Sequence, residues 1–227
     1  MMRTIIHIII LLNSFNGVAQ SKDGMQIMEK VKQKMQLVKD YEADASIKID
    51  ISFLKIPIKN AHLYYKAPDK INFKSNGFTM LPKKGVQNMQ QDLLNGKYTA
   101  IYVGTEALNG RVHDVIKVLP VSTESETVLS TLWIDEKYLI KKVESTTKTQ
   151  GSYLVNFIYA DLPFDMPQKM TVEFDVKKMD VPVGFTMDFE QLNKKNIKEK
   201  ESKGKVTITY SNYKINKGLS DDVFKKK

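Results

Sequence analysis

The chain has 227 residues, of which 42% are apolar and 27% charged, a length that fits one domain with a substantial core and a composition that excludes a disordered polymer and a membrane-embedded bundle. Its net charge of +9 rests almost wholly on lysine, and beyond residue 19 the only arginine is Arg111; base-edge and bidentate phosphate recognition lean on arginine, so no nucleic-acid partner is expected. The absence of cysteine excludes a disulfide framework, a thiolate metal site, a thiol nucleophile and an acylated cysteine.

Residues 1–19, MMRTIIHIIILLNSFNGVA, set Arg3 before the apolar Ile5, Ile6 and Ile8 to Leu12, then place Gly17 and Ala19 three and one residues before a cut at Gln20. This pattern predicts a cleaved secretory signal peptide, and its apolar run is too short for the ~20 residues of a spanning helix. An exported chain without disulfides fits a bacterial periplasm. Residues 20–227 are expected to form a single domain, soluble after cleavage.

Asp23 is placed to cap a helix with Gln26 in the reciprocal position, and Met28, Val31, Met35 and Val38 recur at helical spacing opposite a lysine-rich face. From Tyr41 the period becomes two: Ala45, Ile47, Ile49, Ile51 and Phe53 alternate with polar residues, which predicts a strand buried on one face. A second strand through Ala61, Leu63 and Tyr65 turns at Ala67-Pro68-Asp69-Lys70 and returns through Ile71 and Phe73. Phe78 to Leu94 then interrupts the sheet, with a short helix read over Lys83 to Gly96 that puts Val86, Met89 and Leu93 on one face.

Strand-like segments follow at Tyr98–Val103, Val112–Leu119, Thr127–Ile134, Tyr138–Ser145, Tyr153–Ala160, Met170–Val176 and Val206–Tyr213, a spacing that predicts an antiparallel meander. Several are apolar on both parities, as in Tyr153 to Tyr159, so the sheet either packs something on each side or curls around an enclosed space. Between Lys177 and Lys205 the pattern breaks into a lysine-rich excursion, read as a loop or long hairpin tip.

Little in the chain speaks for catalysis. His62 and His113 have no partner ligand at helical spacing and read as strand-surface residues, and the phosphate-cradling and acyl-hydrolase signatures are missing. The carboxylate pairs Asp135-Glu136 and Asp221-Asp222 fall at turns, where Ser220 or Asp221 can cap a final turn ending at Phe224. No catalytic group, cofactor or metal is expected. The single Trp133, the alternating aromatic residues, the eleven methionines and the two amphipathic helices predict instead a mainly β fold: a strongly curved antiparallel sheet, or unclosed barrel, with helices over a concave apolar face.

The order of segments carries a resemblance. The export signal, the amphipathic helix, the Ile47–Ile51 strand, LYYKAPDKINFKSNG, NGKYTAIYV, the hairpin LWIDEKYLIKKVES and the ending YSNYKINKGLSDDVF, with Asn216 and Gly218, resemble the LolA-like periplasmic carriers of outer-membrane lipoproteins over nearly the whole mature chain. The resemblance implies an unclosed β-barrel whose helical lid covers an apolar cavity, and a shuttle that shelters lipoprotein acyl chains. It implies acylated lipoproteins as cargo, an inner-membrane release transporter and an outer-membrane acceptor as partners, and a monomer that diffuses between them. Cavity candidates are Ile47, Ile49, Ile51, Leu63, Tyr65, Phe73, Val155, Phe157 and Phe174; lid candidates are Phe78, Met80, Leu81, Val86, Met89 and Leu93. One departure is plain: where those carriers close the lid through an arginine on an early strand, this strand offers Lys48. Two other readings stand beside the carrier: a sensory or regulatory lipid-binding domain of the same fold, and an envelope hydrolase that rests only on unassigned carboxylates.

Overall fold

The structure, a computed structural model, describes residues 22–51, 54–55, 57–75, 97–149, 151–175 and 203–225. The export segment, all six lid candidates and the lysine-rich excursion up to residue 202 lie outside these residues.

Helix α1 (Gly24–Gln36) opens the described chain, and Asp23 caps it by accepting a hydrogen bond from the Met25 N–H. Eleven strands follow: β1 (Asp40–Ile51), β2 (Leu54–Lys55), β3 (Lys59–Lys66), β4 (Lys70–Lys74), β5 (Tyr98–Leu108), β6 (Arg111–Pro120), β7 (Thr127–Ile134), β8 (Ile140–Thr147), β9 (Ser152–Tyr159), β10 (Pro167–Asp175) and β11 (Lys203–Ile215). A 3-10 turn at Asp221–Phe224, capped by Ser220, ends them. The strands form one antiparallel sheet in the order β4-β3-β1-β11-β10-β9-β8-β7-β6-β5, with β2 paired to β1. It is a meander from β5 to β11, completed by the β1–β3–β4 hairpins docked on β11. Between β4 and β5, at the two ends of this path, the sheet does not close. Among the described residues no helix is long and apolar enough to cross a membrane.

Pairing register settles which side chains share a face. Directly opposed residues point the same way, so the pairs Ile47–Ile208, Ile49–Val206, Val172–Val206, Val155–Val172, Val143–Val155, Leu132–Val143, Ile116–Leu132 and Ala100–Val118 place all of these on one side. These residues and Ile27, Met28 and Val31 of α1 make one continuous core. Met28 and Val31 are each only 1% exposed, and burial worth about 1.5–3 kcal/mol per side chain holds the helix there.

The size of α1 requires the sheet to curl. Gly24 sits directly on β5, while Val38 packs with Tyr41 of β1 and Tyr65 of β3. Laid flat, the seven steps from β5 to β1 would measure roughly 34 Å at about 4.8 Å per strand. The chain from Gly24 to Val38 covers roughly 21 Å at helical rise. Only a sheet wrapped around the helix brings both contacts within that reach.

The close approach at Gly24 has a direct consequence. A Cβ there would lie 2.7 Å from the Ala100 carbonyl oxygen and from the Tyr102 nitrogen, main-chain atoms that cannot rotate aside. Gly24→Ala is therefore expected to destabilise the fold by about 1–3 kcal/mol, the cost of overpacking, despite alanine's higher helix propensity; urea denaturation of the two forms measures it.

The opposite face is more polar but not uniformly so: Val115 and Trp133 are buried on it, and Ile101, Leu119 and Ile158 are exposed there. Trp133, opposed by Val115 and Lys142, lies on this outer side, where its indole N–H donates to Glu106 Oε2 at 2.8 Å and the Lys142 ammonium stands 3.9 Å from its ring centre. His113 shares that face and corrects the surface reading: it is 5% exposed, and its Nδ1 lies 2.8 Å from the Arg111 carbonyl oxygen. Its neighbours on the face, Val115 and Trp133, are likewise buried. Lys48 also points outward, paired with Asp50 at 3.6 Å and largely exposed, so it cannot act on the concave side.

Candidate functional site

A cavity of about 160 Å³ lies between the second half of α1 and the concave face. The helix contributes Val31, Lys34 and Met35, followed by Val38; β8 and its preceding turn contribute Tyr138, Leu139 and Ile140; β9 gives Phe157 and Tyr159; Met170 and Tyr210 come from β10 and β11. Tyr41 and Tyr65 close the far wall, and the β9–β10 loop supplies Phe164, Asp165 and Met166.

An aromatic group forms the wall at β1, β3 and β11. The Tyr41 ring lies 5.2 Å from that of Tyr65 and 5.7 Å from that of Tyr213, which is 6.1 Å from Tyr210. Tyr210 and Tyr213 have opposite parity and would normally point to opposite faces. A bulge, with Asn212 at φ +54, adds a residue between them so that both turn inward. Tyr213 then donates to the Pro167 carbonyl at 2.7 Å and Tyr159 to that of Ile140 at 2.8 Å. Burial pushes the phenols of Tyr41, Tyr159, Tyr210 and Tyr213 far above the usual tyrosine range, so these aromatic side chains stay neutral.

Charge gathers instead at the loop. Lys34 Nζ meets Asp165 Oδ2 at 2.6 Å, each side chain little more than a quarter exposed. The loop backbone is unusual, with Phe164 at φ +66 and Asp165 at φ +46, a region costly for side chains other than glycine. The hydrogen bond from Lys34 holds the Asp165 carboxyl below its ordinary value, with Lys137 and Lys141 adding to it. A depressed carboxyl contributes stability above its unfolded value near 4 that is lost as pH falls through the lower folded value. Asp165→Asn is expected to flatten this acid limb of the stability curve, measured by denaturation between pH 6 and pH 2; an unchanged limb would mean the pair contributes nothing in solution.

The helix is pinned at both ends of this arrangement. Gly24 is seated on β5, and at the other end Asn216 accepts from the Lys39 N–H at 2.7 Å and donates to the Leu37 carbonyl at 2.9 Å. Asp40 completes the clasp, its carboxylate accepting from the Lys217 and Gly218 N–H groups. The Asn216 and Gly218 of the sequence motif thus tie the end of β11 to the turn after α1, both at positive φ. Among the described residues, the loop from Ala160 to Met166 is held by two of its own backbone bonds, the Lys34 pair and the buried Met166, which packs with Val38 and Tyr65.

Of the nine cavity candidates, Tyr65 and Phe157 border this space. Ile47, Ile49, Ile51, Val155, Phe73 and Phe174 share its face of the sheet but belong to the packed core, and Leu63 is buried beside them, opposite Phe73. Phe174 lies over Gly204, where a Cβ would come within 2.3 Å of its ring. Sequence reasoning missed Lys34, Tyr41, Tyr138, Tyr159, Tyr210 and the β9–β10 loop.

The carboxylate pairs serve the backbone. Asp135 accepts from the N–H groups of Lys137 and Leu139 and pairs with Lys141 at 3.1 Å, which fixes the hairpin turn. Asp221 binds Lys66 at 2.7 Å and Lys70 at 3.1 Å, strapping the terminal turn to the β3–β4 hairpin. Outside the cavity, His62 lies 2.7 Å from Asp44 and 3.5 Å from Glu42. Among the described residues, no group of three or more histidine, aspartate or glutamate side chains is arranged to hold a metal ion.

No family model matches the chain, and no curated protein matches it in sequence. Solved structures do. The chain is similar to a DUF1329 family protein from Desulfovibrio piger, at 13% identity and a TM-score of 0.60, covering 90% of this chain and 98% of that one. A LolA superfamily protein from Nitrosomonas europaea matches at 11% identity and a TM-score of 0.56, covering 91% and 99%. A Vibrio parahaemolyticus domain named for outer membrane lipoprotein sorting matches at 12% identity and a TM-score of 0.57, covering 89% and 97%. At these identities the likeness shows the fold, and the fold is LolA-like, an unclosed antiparallel sheet around a helix.

Proposed function

We propose that this chain is a periplasmic carrier that shelters lipoprotein acyl chains from water and delivers them toward the outer membrane. The observation that carries the reading is the cavity between α1 and the concave face, lined by aromatic, methionine and aliphatic side chains on a fold of the LolA type. Methionines suit such a space because their flexible thioethers adapt to chains of varied shape. Binding without chemistry fits the carboxylates, which are spent on turns and ion pairs.

The volume sets a limit on the closed form. About 160 Å³ is close to the cavity that accommodates a benzene ring and below the roughly 300 Å³ at which pockets for larger ligands begin. In this state the space takes part of one chain, and a fuller load requires the β9–β10 loop to swing out. Each methylene then buried contributes about 0.8 kcal/mol, so a few are enough to repay the opening of one partly exposed ion pair.

In this reading residues 1–19 direct export, Ile47, Ile49, Ile51, Leu63, Phe73, Val155 and Phe174 line the chain path once the cavity has expanded, and the cargo passes from an inner-membrane release transporter to an outer-membrane acceptor. The test is extraction. Vesicles bearing an acylated lipoprotein are mixed with the mature chain and sedimented; lipoprotein in the supernatant, in a one-to-one complex, supports the carrier, whereas lipoprotein that stays with the vesicles at every protein concentration contradicts it.

A further inference from the structure

The mouth of the cavity has a charge character that an acyl-chain shelter does not need. Lys34 borders it directly. Lys30 donates to the Tyr138 hydroxyl at 2.9 Å, and Tyr138 lines the space; Lys137 and Lys141 lie close enough to act on Asp165. Against these four lysines stand Asp165, on Lys34, and Asp135, which is committed to its turn and to Lys141. The Asp165 carboxylate is itself an anion resting on Lys34, from a loop with two consecutive residues at positive φ.

The wall beside this pair offers donors. Val38, one turn beyond Lys34, and Met166, next to Asp165, pack with Tyr65 and Tyr41. Tyr65 is 5% exposed, and among the described residues the hydroxyls of Tyr41, Tyr65 and Tyr210 have no hydrogen-bond partner. A buried hydroxyl gains from a hydrogen-bond partner, so a ligand oxygen that accepts from one of them adds to its contact with the ammonium.

We infer that the cavity takes a single acyl chain bearing an anionic head, the head seated on Lys34 in place of the Asp165 carboxylate and accepting from a neighbouring tyrosine hydroxyl. This rests on the acyl-chain reading above and adds to it the class of head group. Asp165 then acts as the resident competitor: the loop closes on Lys34 when the site is empty and is released when an anion replaces it. The exchange substitutes one charge-assisted hydrogen bond for another, so loading costs little beyond undocking the loop.

Four probes with one chain test it: dodecanoate, dodecyl phosphate, dodecanol and dodecyltrimethylammonium, titrated by calorimetry at a temperature where all forms are folded, against the mature chain and its Lys34→Gln, Lys34→Arg and Asp165→Asn variants, each first checked by circular dichroism for the wild-type fold. The expected result is at least tenfold tighter binding of the anions than of dodecanol, with the cation weakest. Lys34→Gln should level the series, Lys34→Arg should restore it, and Asp165→Asn should tighten anion binding. Whichever of carboxylate and phosphate binds better separates a fatty acid from a single-chain lysophospholipid as the source. Equal affinity for all four heads, or a preference that survives Lys34→Gln, overturns the head-group assignment while leaving chain binding intact. No binding of any probe overturns the chain reading as well.

Discussion

Asn216→Ala lowers the free energy of unfolding by about 2–3 kcal/mol. The side chain accepts from the Lys39 N–H at 2.7 Å and the Asp40 N–H at 3.4 Å and donates to the Leu37 carbonyl at 2.9 Å. Removing it hands the exposed Lys39 N–H and Leu37 carbonyl to water, a net loss of about 0.5–1.5 kcal/mol for each hydrogen bond, and puts alanine at φ +55, which adds about 1 kcal/mol or more. Against a total stability of about 5–15 kcal/mol for a domain, that is a large fraction. Asn216→Gly should recover the backbone part and leave the hydrogen-bond part, so the glycine variant falls between wild type and alanine in urea denaturation. If alanine and glycine are equal, the positive φ carries no cost and the clasp acts through hydrogen bonds alone.

The second large effect concerns binding rather than stability. Met35 is a partly buried residue of α1 that borders the cavity. In Met35→Trp the indole enters space already empty, so the overpacking cost of about 1–3 kcal/mol is mostly avoided and stability should stay within about 1 kcal/mol of wild type. The ligand loses that space. Displacing three or four methylenes removes about 3 kcal/mol of burial, close to a hundredfold in affinity. A fluorescent fatty-acid displacement assay reads this directly, and undiminished binding by a folded Met35→Trp protein would place the chain elsewhere.

The parts of the fold written in local pattern were legible in the sequence. Alternation over Ala45 to Ile51 gave β1 and its inward face; the Pro68-Asp69 turn gave the β3–β4 hairpin; Asp23 and the Met28–Val31–Met35 stripe gave α1 and its buried side. Parity reasoning placed Tyr65 and Phe157 on the face that holds the cavity, but could not say where along that face the helix leaves space. That depends on where α1 crosses the sheet, which Gly24 and Asn216 decide through contacts with β5 and β11.

Other features have no local signal. Lys34 and Asp165 lie far apart in the chain and are brought together only by the curl of the sheet. The inward turn of Tyr213 depends on the bulge at Asn212, and strict alternation from Tyr210 would send it outward. Trp133 reads as part of an apolar lining, yet the strand register puts it on the outer face, where Glu106 satisfies its indole N–H. His113 reads as a strand-surface residue, yet on the outer face it lies buried with Val115 and Trp133.

The carrier reading is tested most directly by what the protein holds when it is taken from its own compartment. The mature chain and the Met35→Trp form are purified from native envelope extract without detergent, and bound molecules are identified by intact-mass spectrometry. The account predicts acylated molecules on the wild-type protein in one-to-one stoichiometry and their loss from the tryptophan form. Wild-type protein free of any lipid or lipoprotein, or equal loading of the two forms, contradicts it.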